Sequence, residues 1–338
     1  MEQLVSIWDV VEVERFVSNP FGPWSVGRPV HDRRCLARAY VAKAVYDLTT
    51  TEALIEMLKT NRALRRLCGF DSVRQIPSSA TFSRVFAEFT KTLLGDKVHS
   101  ALINKYVGSQ TVMHQSIDST EVIARERAAK KEKVVKQIKK RGRPKKGEAR
   151  PPKELKRLDI QLKQTPEEAI GHLPKPCDWG TKKDTGGHNH TWKGYKAHIA
   201  WSDDNIPLGM VTTSASVHDS QVAIPLTRLV AKRVASCYVL GDSAYDAPQI
   251  REAIEALGQK AIIDPNPRGT GVPADKLFDP ATDRRYKERT TAERGNSRLK
   301  DCFGFRHVRV RGNAKVHLHL MLGLVALFAD QLLKPGSI

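Results

Sequence analysis

The chain has 338 residues, 40% of them hydrophobic, enough to bury one sizeable core or two modest ones, and two domains is the working expectation. Fifty-six Lys+Arg against 37 Asp+Glu give a formal net charge of +19, far more than solubility requires, so a polyanionic partner, most simply nucleic acid, is expected. Five cysteines (Cys35, Cys68, Cys177, Cys237, Cys302) form no C-x-x-C pair, which sets aside a disulfide framework and a cysteine zinc site and fits a reducing cytosol. The N-terminus carries acids where a secretory signal would carry bases, and the apolar run Leu318 to Ala329, interrupted by His319, is shorter than the about 20 residues a bilayer needs. That run is expected to be core, and no membrane partner is expected.

From Arg34 to Thr92 apolar residues recur at helical spacing, predicting a small helical domain. In IPSSATFSRVFAEFTKTLL the N-cap candidates Ser78 and Ser79 precede Phe82, Val85, Phe86 and Phe89 on one stripe, with Arg84 facing out. This pattern suits the second helix of a helix-turn-helix and suits an ordinary amphipathic packing helix equally well.

The pattern then turns to strands. Thr111 to Asp118 reads as a strand ending in an acid, and Gly194 to Ser202 with Ile206 to Ser216 as a hairpin around Asp203-Asp204-Asn205. A helix (220–234), a strand (236–242), a helix (248–257), a strand (259–265) and two long helices (284–300 and 315–333) follow. Together they predict an α/β domain with a mixed central sheet covered by helices. The domain boundaries read as 1–108 for the helical part and 109–338 for the α/β part.

Between the first strand and the hairpin, Val122 to Gln164 holds 17 Lys+Arg against 5 Asp+Glu. A basic insert, bounded at 122–190, helical at its start and solvated in the middle, is predicted. At its centre Arg141, Arg143 and Lys145 lie in a short extended run that fits the minor groove of A·T-rich DNA and also fits a solvated linker.

Three carboxylates stand out. Asp118 and Asp242 each close a predicted strand and converge if the strands are neighbours; Glu293 lies in a predicted helix with Tyr286, Arg289 and Lys300. Seven residues make nearly two turns, so Tyr286, Glu293 and Lys300 are expected on one face with Arg289 beside them. Carboxylates with no paired histidine or thiolate are hard oxygen ligands for Mg²⁺ or Mn²⁺. Two such ions can activate a nucleophile and stabilise the leaving oxygen of an in-line phosphoryl displacement. Arg289 and Lys300 would hold the phosphodiester, and Tyr286 would bond a phosphate or stack on a base. Asp246 and Asp219 read as helix caps, Glu121 as a neighbouring carboxylate outside the set, and His172, Cys177, His188 and His190 match no common zinc spacing.

Tyr-x2-Arg-x3-Glu-x6-Lys at Tyr286, Arg289, Glu293 and Lys300, with Asp118 in IDST and Asp242 in GDSAYD, resembles the DDE transposases of bacterial insertion sequences that carry this hallmark. WKGYKAHIAWSDDNIPLGMVTTSASVHDS, GDSAYDAPQIREAIEALGQKAIIDPNPR and FGFRHVRVRG are similar to that family too, as is the helical stretch from Arg34 to Phe89. The resemblance implies an RNase H-like catalytic fold behind a helical N-terminal DNA-binding domain, with Asp118, Asp242 and Glu293 as a triad for two Mg²⁺ or Mn²⁺ ions. It also implies binding of double-stranded DNA at terminal inverted repeats, cleavage and transfer to target DNA, and a homodimer on DNA in the bacterial cytosol. The gaps of 124 and 51 residues between the three acids leave no room after Asp242 for the large β-rich insertion of some relatives. A nuclease of the same fold and an inactive DNA-binding derivative are the other readings.

Overall fold

The computed structural model describes residues 1–18, 30–130, 155–183, 186–266 and 278–334. Among the described residues six α-helices come first: α1 (Glu2–Val11), α2 (Arg33–Val45), α3 (Thr51–Thr60), α4 (Arg62–Cys68), α5 (Ser79–Lys91) and α6 (Leu94–Tyr106). Their starts are written locally, since the side chains of Thr50, Asn61 and Ser78 accept the N–H of Ala53, Leu64 and Thr81. Gly69, at φ 98°, ends α4, and a Cβ there would lie 2.6 Å from Cys35 Sγ. The stripe of α5 is buried as expected: Tyr40 of α2 lies against Phe82, Phe86 and Phe89 with ring centroids 4.9–6.4 Å apart, and its hydroxyl donates to Phe82 O. Arg84 is exposed on the opposite side.

Among the described residues the sheet has six strands: β1 (Thr111–Ile123), β2 (Asp178–Lys183), β3 (Asn189–Trp201), β4 (Pro207–Ser214), β5 (Ala235–Gly241) and β6 (Lys260–Ile263). Their order is β2-β3-β1-β5-β6, with β4 also paired to β3; β1, β3 and β4 run antiparallel, and β5 and β6 lie parallel to β1. The helices α9 (Ser220–Ala231) and α10 (Pro248–Glu255) supply the crossovers that parallel strands need. The hairpin turns where expected, with Asn205 at φ 56° and Ser202 N donating to Ile206 O.

Three expectations are corrected. The first strand does not end at Asp118 but runs to Ile123, because β-branched Thr120, Val122 and Ile123 continue the ladder against Ala197, Tyr195 and Gly194 of a longer β3. The insert is not helical at its start, which is strand, and its later part is built into the fold. There α7 (Arg157–Gln161) and α8 (Pro166–Gly171) pack on α9, the Arg228 guanidinium donates to the carbonyls of Gln161, Leu162 and Gln164, and β2 pairs along β3. Arg141, Arg143 and Lys145 lie outside the described residues. The long helix expected at 284–300 is two, α11 (Pro280–Lys287) and α12 (Thr290–Cys302). Backbone bonds tighten to i→i−3 from Glu288 to Ala292, while Thr290 Oγ1 and Ser116 Oγ donate to the carbonyls of Lys287 and Glu288.

The last helix, α13 (Asn313–Leu332), is long and apolar enough to cross a membrane by composition, yet it is buried, packing on α1, α2, α5, α6 and β4. It therefore joins the helical part to the sheet. Near its end Asp330, only 8% exposed, accepts from Gln3 of α1 and from Arg298 of α12. Asp330→Ala would leave Arg298 half-buried without its carboxylate, at an expected cost of about 3 kcal/mol. A lowered urea midpoint with unchanged slope checks this; an unchanged midpoint would show that the network carries no net stability.

Candidate active site

The parallel ladder pairs Ser116 of β1 with Leu240 of β5, so two residues further on Asp118 and Asp242 come level. β5 ends at Gly241, and the Asp242 carboxylate accepts the Ala244 N–H at 2.9 Å, fixing it at the start of a short turn. Asp118 stays within β1, opposite Ile199, and its Oδ2 accepts from Asn296 Nδ2 at 2.9 Å. Burial, with the neighbouring Asp242 charge, pushes Asp118 up to about 6. Burial, with the charges of Asp219 and Asp264, raises Asp242 as well. Tyr245 lies beneath, fully buried, its hydroxyl raised far above the ordinary range by burial and by the charges of Asp219, Asp118 and Asp242.

Arg289, at the junction of α11 and α12, is the cation of this centre. Its guanidinium donates to Glu293 Oε1 at 2.6 Å, sits 5.8 Å from the Tyr286 ring centroid, and opposes the rise of both Asp118 and Asp242. The structure thus gathers Asp118, Asp242, Tyr286, Arg289 and Glu293. Tyr286 does not share a helix with Glu293, as the spacing had suggested; it comes from α11 and meets the site through Arg289. Lys300, two turns along α12, lies 3.4 Å from Glu121 Oε1, and Lys182 and His190 lie 3.5 and 3.0 Å from Oε2 of the same carboxylate. Burial raises Glu121, but these cations outweigh it and hold it below its usual range.

Glu293 is engaged by Arg289, and among the described residues no group of three or more His, Cys, Asp or Glu side chains is close enough to hold a metal ion. The donor chemistry nonetheless suits a hard divalent cation: two adjacent half-buried carboxylates, both raised by burial and by neighbouring acids, with a third, Glu293, held beside them by Arg289. His172 bonds Gln164 and His190 faces Glu121, and no zinc cluster forms among the described residues.

Asn296, Asp219 and Asp264 were not singled out as part of the site. Asn296 follows Glu293 by three positions, the spacing that puts both on one side of α12. Asp219 does stand at the N-cap of α9, but its side chain makes no cap bond; it takes Lys196 Nζ at 2.8 Å, and His198 Nδ1 is 3.9 Å away. Asp246 is not the N-cap of α10, which is Ala247; it accepts from Arg251 and from the N–H of Asn266.

The family model described as "Transposase DDE domain" matches residues 114–329, and one described as "Transposase domain (DUF772)" matches residues 1–88. Proteins named "Probable transposase for insertion sequence element ISH11", from two strains of Halobacterium salinarum, are each 27% identical over 150 residues, covering 39% of this chain and 46% of the relative. The chain spans about half the length of these curated relatives. No solved structure matches it. The first family model covers more than half of the chain and contains Asp118, Asp242 and the whole Tyr286–Lys300 stretch, so the chain belongs to the DDE transposases of insertion sequences.

Proposed function

We propose that this transposase binds the terminal inverted repeats of its element, cleaves DNA strands and joins the freed 3′-hydroxyl to target DNA. The observation that carries the reading is the level placement of Asp118 and Asp242 on adjacent parallel strands, with Glu293 on the helix whose Asn296 bonds Asp118. The antiparallel β4-β3-β1 meander continued by parallel β5 and β6 supports an RNase H-like catalytic fold.

Asp118, Asp242 and Glu293 would hold Mg²⁺ or Mn²⁺, two ions in the full site, once Glu293 leaves Arg289. When bound, such ions activate the attacking oxygen and stabilise the leaving one. The protein's part is to hold the acids in register, keep Asp118 oriented through Asn296, and offer Arg289 to a non-bridging phosphate oxygen. Arg289 released from Glu293 is free to do so. Tyr286 would stack on a base or bond the same phosphate, and Lys300 would hold a neighbouring one. Arg141, Arg143 and Lys145 would add minor-groove contacts. A homodimer on DNA in the bacterial cytosol belongs to the same proposal, since two element ends must be held together.

A duplex carrying the DNA that flanks this gene, incubated with Mg²⁺, tests the reading. Metal-dependent joined products are expected from the wild type and neither from Asp242→Asn nor from Glu293→Gln. Joined products that persist in either variant would remove that residue from the triad. Cleavage without joining would make the protein a nuclease, and tight binding without cleavage, even in Mn²⁺, a binding protein only.

A further inference from the structure

Away from the acidic centre a cavity of about 370 Å³ opens between α2, the start of α3, α5 and the segment leading into α13. Its floor is apolar and aromatic, with Tyr40, Phe86, Val310 and Leu322, and its walls carry five cations: Lys43, Arg125, Arg309, Arg311 and Lys315. The sequence alternation in His307-Val308-Arg309-Val310-Arg311 explains two of them. Val308 is buried and Val310 half-buried, while Arg309 and Arg311 are exposed and line the same cavity.

This basic concavity carries little counter-charge, whereas Arg298 is paired with Asp330, Arg38 with Glu14 and Arg251 with Asp246. Arg125, Arg309, Arg311 and Lys315 form no ion pair among the described residues. Lys43 is 9% exposed, donates only to the Leu48 carbonyl, and is pushed by burial down to about 8. One acid lines the cavity, Glu52, and its carboxylate accepts from Ser79 Oγ. Like charges gathered at a concavity repel one another unless an anion sits among them. Several cations around one concavity suit an anion with repeated charges along a chain, which describes a phosphodiester backbone.

We propose that this cavity is a second DNA-binding site, seating backbone phosphates of the bound strand on Arg125, Arg309, Arg311 and Lys315. The assignment rests on the transposase reading for the identity of the polyanion. Position supports a duplex rather than a free nucleotide. Arg125 lies seven residues beyond Asp118, just past the end of β1, and so no more than about 25 Å away along a fully extended chain. A strand held at Asp118 and Asp242 reaches the cavity within about seven nucleotides, at about 3.4 Å each. One DNA end can therefore engage both sites, and the cavity fixes how it enters the acidic centre.

The test is binding of a fluorescent duplex of about 30 base pairs, carrying the DNA that flanks this gene, followed by anisotropy across a salt series. The protein is the full chain, as wild type, as the Arg309→Ala/Arg311→Ala pair, as Arg125→Ala, and as the charge-keeping Arg309→Lys/Arg311→Lys pair. The alanine pair should weaken binding at least about tenfold and lower the slope of log K against log salt by about 2, and Arg125→Ala should lower it by about 1. The lysine pair should restore the slope, and Arg15→Ala, on an exposed arginine away from the cavity, should change neither quantity. Equal thermal midpoints keep the comparison free of folding effects; if the alanine pair unfolds, Arg125→Ala and the lysine pair decide. Duplex binding whose affinity and slope survive the alanine substitutions overturns the cavity assignment alone. A wild type that binds no duplex at any salt overturns the functional reading and this assignment with it.

Discussion

Asp118→Asn is expected to abolish strand cleavage and joining while making the metal-free protein more stable near neutral pH. The first half follows from the proposed role: losing a metal-holding carboxylate removes several kcal/mol of transition-state stabilisation, or about 10³-fold or more in rate. The second half follows from crowding. Asp118 is pushed from 3.8 up to about 6 by burial and by Asp242, so the fold prefers its protonated form. A carboxyl raised in this way opposes folding at every pH above its folded value, by of order 3 kcal/mol here. As the pH falls through about 6 the folded protein takes up the proton while the unfolded chain stays ionised, and the penalty shrinks. Near the unfolded value of 3.8 and below, both states are protonated and it is gone. Asparagine removes the charge and keeps an oxygen for Asn296 Nδ2 to donate to. Thermal midpoints in EDTA should therefore lie above those of the wild type near neutral pH, with the gap closing between about pH 6 and 4. Added Mg²⁺ should then raise the midpoint of the wild type and not of the variant. A variant less stable than wild type at neutral pH would mean that Asp118 is held by favourable partners, not by crowding.

Much of this site was legible from side chains whose type and spacing carry the chemistry. The stripe of Phe82, Val85, Phe86 and Phe89 declared α5, Asp203-Asp204-Asn205 declared the hairpin turn, and Asp242 after VLG declared the end of β5. The errors have common physical causes. β2 was missed because Asp178–Lys183 is polar and exposed on alternate and terminal residues, leaving little apolar periodicity to read. The break between α11 and α12 was missed because the competing acceptor bonds come from Ser116, far away in sequence, and from a threonine hydroxyl that spacing alone does not reveal. Asn296 is neutral and gives no charge signal in the sequence, and Asp219 stands at the N-cap of α9 as expected while its side chain is spent elsewhere. Its actual partners, Lys196 and His198, come from β3 and meet it only once the sheet is folded.

The seat of α12 on the sheet gives the other large expected effect, at Gly295. This glycine lies between Glu293 and Asn296, and α12 packs on β1 and β3. A Cβ at 295 would lie 2.6–2.7 Å from three ring atoms of Trp201, which is fully buried at the end of β3. Replacing glycine by alanine inside a helix ordinarily gains about 1 kcal/mol. Here the sign should reverse, because the buried indole has no room to retreat and overpacking costs about 1–3 kcal/mol. The cheaper response is for α12 to lift from the sheet, carrying Asn296 away from Asp118 and Glu293 away from the aspartates. A displacement near 1 Å at a reacting centre lowers rates about 10²-fold. Gly295→Ala should therefore lose activity out of proportion to its stability, remaining folded at assay temperature while cleaving poorly. Trp201→Phe, which removes part of the offending ring, should be destabilising alone yet restore activity to Gly295→Ala, with a coupling of about 0.5–3 kcal/mol in the double-mutant cycle. Additive losses in the double variant would place the defect elsewhere than at the contact between Gly295 and Trp201.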